Sequence, residues 1–239
     1  MKKKLLFLTI VVVGFASFAS ADSFIYYYSR AAQNPTDFID LSQLPGSGNG
    51  ALVNSPTLVS SFLGNLALIG NTNGGQFATV QQDNTWFGNF DYGEYLAWTG
   101  NPNFYGSGGP FAFVLANPVS SVGIGIQADK YGPFKATVEV FNPGGVVIGT
   151  FKVNSISSGS SAGDNLFVGF GDTTGVNIGA ITISTTSAND PTGFWANDFA
   201  IDDPSFTYDP IVTPEPSSLL LLGSGLLGVA GLVRRKLGR

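Results

Sequence analysis

Carboxylates, amides, hydroxyls and aromatic faces carry whatever chemistry this chain does, because its 239 residues include neither cysteine nor histidine. That composition removes cysteine nucleophiles, Ser-His-Asp hydrolysis and histidine-built zinc sites. Asp91 and Glu94 form a pair of acids of the kind a glycan hydrolase uses as general acid and as nucleophile or base, although any acid-rich chain offers such a pair. A second group of oxygens flanks a strand-like segment near the end of the body: Asn197, Asp198, Asp202 and Asp203, with Asp37 and Asp40 beside an early strand. The first and last strands of a sandwich can be neighbours. Asp40, Asp198, Asp202 and Asp203 are therefore candidate ligands for calcium, which takes six to eight oxygens. The spacing matches no EF-hand loop, and solvated loop acids or turn caps are the alternative. No other cofactor is implied. Among the aromatics, Trp86, Tyr131 and Trp195 are candidates for stacking on sugar rings, the alternative being burial in a core, as expected for Trp98.

The elements that must position these groups are short. Valine, isoleucine and 20 phenylalanines fall in brief runs separated by glycine, serine, asparagine and proline. The pattern predicts an all-β fold, a single β-sandwich. In Val122-Gly123-Ile124-Gly125-Ile126-Gln127-Ala128 bulky residues alternate with glycine and glutamine, a period of two whose small outer face leaves room for another layer. Ala136, Val138 and Val140 alternate with Lys135, Thr137 and Glu139. Asn142-Pro143-Gly144-Gly145 then turns the chain, in a type II or closely related turn, into a strand over Val146 to Val153. Further strands are predicted at Phe24 to Ser29, Phe38 to Leu41, Leu166 to Phe170, Val176 to Ser184, and Phe199 to Tyr208 with a kink at Pro204. Leu66 to Ile69 and Gln76 to Val80 read as a hairpin across Asn71-Thr72-Asn73-Gly74. Ser155 to Gly163 reads as a mobile loop. No helical pattern longer than two turns occurs in the body.

Both ends differ from the body. Lys2, Lys3 and Lys4 precede an apolar run from Leu5 to Phe18, and Ala19-Ser20-Ala21 is a small-residue cleavage pattern, with Ala19 and Ala21 at its key positions. This is the pattern of a secretory signal peptide over residues 1–21, removed by signal peptidase. At the other end Pro214 and Pro216 hold the chain extended around Glu215. The apolar run from Ser217 to Val233 spans about 25 Å as a helix, at the short end for a bilayer core of about 30 Å. Arg234, Arg235 and Lys236 form a cationic stop that holds this end in the cytoplasm. The chain thus divides into a signal segment, a β-sandwich over 22–212 and a terminal segment over 213–239. Seven of the 11 basic residues lie in the two ends, so the body keeps four against 15 acids, a formal charge of −11. Such a body has no surface for nucleic acid.

Pro214-Glu215-Pro216, the leucine-rich run and Arg234-Arg235-Lys236 resemble the PEP-CTERM sorting signal of exosortase-processed bacterial proteins. The resemblance implies recognition of the Pro-Glu-Pro motif by a membrane-embedded exosortase, transient anchoring in the inner membrane by the terminal helix, and delivery to the cell envelope or beyond. The body is similar to the sandwich of many such proteins in Trp86-Phe87-Gly88-Asn89-Phe90, Leu96-Ala97-Trp98, Gly123 to Phe134 and Asn197 to Asp203. That likeness implies a jelly-roll-like domain, related in shape to carbohydrate-binding modules, and transfers no catalytic residue. The expectation is a non-enzymatic protein of the envelope or extracellular matrix of a biofilm. The alternatives are a binding module for exopolysaccharide, calcium-assisted or not, and more remotely a carboxylate-based glycan hydrolase.

Overall fold

A computed structural model describes residues 24–100, 109–187 and 197–208. The signal segment, the sorting segment and Trp195 lie outside the described residues. The strands are β1 (Phe24–Tyr27), β2 (Asp37–Phe38), β3 (Asn49–Asn54), β4 (Thr57–Ser60), β5 (Leu66–Asn71), β6 (Gln76–Gln81), β7 (Tyr95–Trp98) and β8 (Phe111–Val119). They continue as β9 (Ser121–Ala128), β10 (Gly132–Phe141), β11 (Val147–Ser157), β12 (Leu166–Asp172), β13 (Ile178–Ser187), β14 (Phe199–Ile201) and β15 (Ser205–Thr207). One short helix, α1 (Arg30–Gln33), is capped by the Ser29 hydroxyl, which accepts from the Ala32 amide at 3.2 Å.

The strands form the two packed sheets of an all-β sandwich. One has nine strands, in the order β1-β12-β9-β14-β7-β6-β3, with β15 pairing β9 and β2 off that path. The other has six, β11-β10-β13-β8-β5-β4. Residues alternate across each strand, so the inward set of β9 (Val122, Ile124, Ile126, Ala128) meets that of β10 (Phe134, Ala136, Val138, Val140) in one buried core. Aromatic pairs tie the layers. Phe77 on β6 meets Phe111 on β8 edge-on at 5.1 Å between centroids, and Phe151 on β11 stacks on Phe170 of β12 at 4.1 Å.

The hairpin predicted between Leu66 and Val80 does not form. β5 belongs to the six-stranded sheet, paired with β4 and β8, and β6 to the nine-stranded one, paired with β3 and β7. Ala67, Ile69 and Phe77 all face the core, so the intervening turn carries the chain across the sandwich as an arch rather than folding it back in one sheet. The β10–β11 hairpin does form, in the register Lys135↔Asn154 to Val140↔Gly149. Its left-handed residue is Gly145 (φ +77°) rather than Gly144, so the turn is a related loop and not type II. β11 runs on to Ser157, four residues beyond the expected strand. The segment after it is pinned, because the Asn89 side-chain amide donates to Ser158 Oγ at 2.8 Å and Gln127 Nε2 donates to Ser158 O at 2.9 Å. The break at Pro204 falls between β14 and β15 as expected. The early strand near Phe38 is only two residues long and gives way to a 3₁₀ turn over Leu41–Gln43.

Candidate functional site

The alternation along β9 carries a second consequence. All eight residues of this strand are buried, so its glycine face is covered as fully as its aliphatic face. A Cβ at Gly123 would strike the side chains of Gln33 and Phe167, and one at Gly125 would strike Asn165 and the Asp202 carboxylate. The missing side chains admit a polar layer onto the outer face of the nine-stranded sheet. Gln33, from α1, donates to Ser121 Oγ at 3.2 Å and Ser205 O at 3.1 Å. Beside it Asp202 accepts from the Gly125 amide at 2.6 Å and from Arg30 Nη2 at 2.8 Å. The same Arg30 nitrogen donates to Asp203 O at 2.8 Å.

This layer opens into a cleft of about 390 Å³ bordered by Tyr28, Arg30, Asp91, Glu94, Asn165 and Phe167, with Asp202 at its floor. The Arg30 guanidinium lies 6.0 Å from the Phe167 ring centre. Gly163, at φ +66°, lets the backbone approach Asp91 where a Cβ would strike its carboxylate. Glu94 accepts from the Asp91 amide at 3.2 Å, closing a turn that holds both acids at the mouth.

Electrostatics set this cluster apart. Burial, reinforced by the nearby Asp202 charge, pushes the Glu94 carboxyl up to about 8. Burial pushes Asp203 up to about 7, against the opposing bond from the Leu41 amide and with a further rise from Asp202 and Asp40. Burial also raises Asp202, an effect that Arg30, the Gly125 amide and the Asn165 side chain oppose. Two of these perturbed carboxyls, Glu94 and Asp202, line the one cleft, a recognised mark of a functional site.

The candidates named from sequence are placed as follows. Asp40, Asp202 and Asp203 lie near one another, but each is committed to a protein donor. Asp40 caps the 3₁₀ turn through the Ser42 amide at 2.8 Å, Asp203 accepts from the Leu41 amide at 2.8 Å, and Asp202 is paired with Arg30. Asp198 is buried elsewhere, its carbonyl accepting from the Asp129 amide at 2.9 Å. Among the described residues no group of three or more acids is arranged to hold a metal ion. Trp86 is not at the surface. It is 6% exposed and packs with Ala78, Val80, Phe90, Leu96 and Ala200 in a second apolar cluster on the outer face of the nine-stranded sheet. Gly88 seats the loop here: a Cβ on it would strike the Gln127 amide, whose oxygen also accepts from Trp86 Nε1 at 3.4 Å. Tyr131 is 48% exposed and donates to the Phe87 carbonyl. Sequence reasoning missed Tyr28, Arg30, Asn165 and Phe167. Arg30 had a readable signal, as one of only four cations in an acidic body.

The solved structures similar to this chain include a DUF4465 family protein from Bacteroides caccae, at 10% identity and a TM-score of 0.39, covering 72% of this chain and 100% of that one. They also include the xylanase 10B CBM22-1–GH10 modules of Clostridium thermocellum, complexed with xylohexaose, at 11% identity and a TM-score of 0.18, covering 69% of this chain and 26% of that one. Both likenesses are too loose to bear on function. No curated protein matches the chain. Residues 212–236 match the PEP-CTERM protein-sorting motif, which marks this all-β sandwich as the cargo of an exosortase-targeted, secreted protein.

Proposed function

We propose that the chain is a non-enzymatic component of the cell envelope or extracellular matrix. In this reading signal peptidase removes residues 1–21, the terminal segment over 213–239 anchors the protein transiently in the inner membrane, and exosortase acts at Pro214-Glu215-Pro216. The sandwich over 22–212 is then the delivered part. The observation that carries the reading is the sorting motif at residues 212–236 placed directly after an all-β body.

The test is the mass and location of the mature protein in its native host. The expected form lacks both ends and is recovered outside the inner membrane, while Glu215→Ala leaves a membrane-bound chain that keeps its tail. An unchanged mature mass in that variant would remove exosortase recognition from the account.

A further inference from the structure

The cleft over β9 has features that an envelope component needs only if it holds something there. Tyr28 follows the edge strand β1 and is 78% exposed at the cleft border, an aromatic face turned to water with Phe167 on the same border. Tyrosine in that position offers an apolar plane with a polar tip, the shape that stacks on the C–H face of a pyranose. Polar groups of both kinds surround it. Both hydrogen bonds of Arg30 run from Nη2, so its Nε and Nη1 donors meet no acceptor among the described residues, and its side chain is 36% exposed. The Asp91 carboxylate accepts no hydrogen bond from a described residue, and only one Glu94 oxygen does. Vicinal sugar hydroxyls, each a donor and an acceptor, match such a set.

Charge narrows the class. Arg30's charge is already met by Asp202 at 2.8 Å, which leaves the Asp91 carboxylate as the uncompensated charge at the cleft, so a phosphate or uronate would enter against the local field. Glu94, held protonated near neutral pH by its burial, adds a hydroxyl donor rather than a second mouth charge. The volume, about 390 Å³, is at the small end of the roughly 300–1,000 Å³ that ligand clefts occupy, and suits one or two rings of a longer chain.

We infer that the cleft bordered by Tyr28, Arg30, Asp91, Glu94 and Asn165 binds a neutral saccharide, stacked on Tyr28 and hydrogen-bonded by Arg30 and Asp91. The site is distinct from Trp86 and Tyr131, and its occupancy does not depend on how the body is sorted.

Calorimetric titration of the full-length chain in a sugar-free zwitterionic detergent tests it. The probes are cellohexaose, maltohexaose and mannohexaose as neutral chains, hexagalacturonate as an anionic one and chitosan hexamer as a cationic one. Saturable binding of at least one neutral hexaose is expected, weakened tenfold or more in Tyr28→Ala and severalfold in Asp91→Asn, both exposed positions whose change leaves the melting temperature in place. Hexagalacturonate should bind more weakly than the best neutral chain. Failure of every neutral chain to bind, preference for the anionic or cationic probe, or binding indifferent to both substitutions would overturn the inference. Each of those results would leave the sorting of the protein untouched.

Discussion

Arg30 Nη2 lies 2.8 Å from Asp202 Oδ2, joining a helix near the start of the body to the segment after β14, across 172 residues of chain. Asp202 is buried, so removal of its partner leaves its carboxylate without the cation that offsets its burial. Arg30→Met is expected to destabilise the fold by roughly 3 kcal/mol, the low end for a broken buried pair because Arg30 itself reaches solvent. Adding Asp202→Asn to that variant should recover much of the loss. Urea unfolding midpoints of the three proteins check both statements.

Gly125 admits Asn165 and Asp202 onto β9, and the Asp202 carboxylate cannot move aside without giving up its bonds from the Gly125 amide and Arg30. Gly125→Ala is therefore expected to lower stability by about 1–3 kcal/mol, the range for overpacking a filled interior. Its backbone φ is not left-handed, so strain plays no part. Thermal melts should separate it from Gly145→Ala. There a Cβ would meet nothing, and the penalty comes from φ +77° alone.

The raised carboxyls give the fold a pH dependence of definite sign. Glu94 at about 8, Asp203 at about 7 and Asp129, lifted by burial and by Asp198 to about 6, hold protons in the folded state that the unfolded chain has already lost. Their contribution is greatest below the ordinary carboxylate range and declines as pH rises through each folded value. Melting temperature should thus fall between pH 5 and pH 9. Glu94→Gln should flatten the upper part of that decline, and a melting temperature that rises over the same interval would contradict the assignment.

Trp86, buried under the loop that covers the outer sheet face, behaves as core. Trp86→Ala is expected to cost about 3–5 kcal/mol, with a shift in denaturation midpoint. Because Trp86 does not border the cleft, sugar binding by the folded fraction should be unchanged.

Strand identity was legible wherever residues alternated or ended in a strong turn, as in β9, β10 and the Asn142–Gly145 connection. Sheet membership was not. Asn71-Thr72-Asn73-Gly74 is chemically a good hairpin turn, and only the need of Ala67, Ile69 and Phe77 to share one core sends β5 and β6 to different layers. The same limit applied to the site. Gly123, Gly125 and Gln127 announced a covering layer, but the identity of that layer depended on contacts of long range, such as Gln33 with Ser205, that no local pattern encodes. Glu94 was readable as an acid of interest, while Arg30, which borders the same cleft, comes from 64 residues earlier and is brought in by α1.

β14 and β15 occupy interior places in the nine-stranded sheet, flanked by β7, β9 and β2, and the chain leaves the described body just after them. A pull delivered through the tail therefore acts on the middle of the molecule. Such a pull loads the ladders with β9 directly, while the rim strand β3 lies beyond β7 and β6. A body tethered by its C-terminal end would resist traction as one block and give way abruptly, instead of peeling open from its margin.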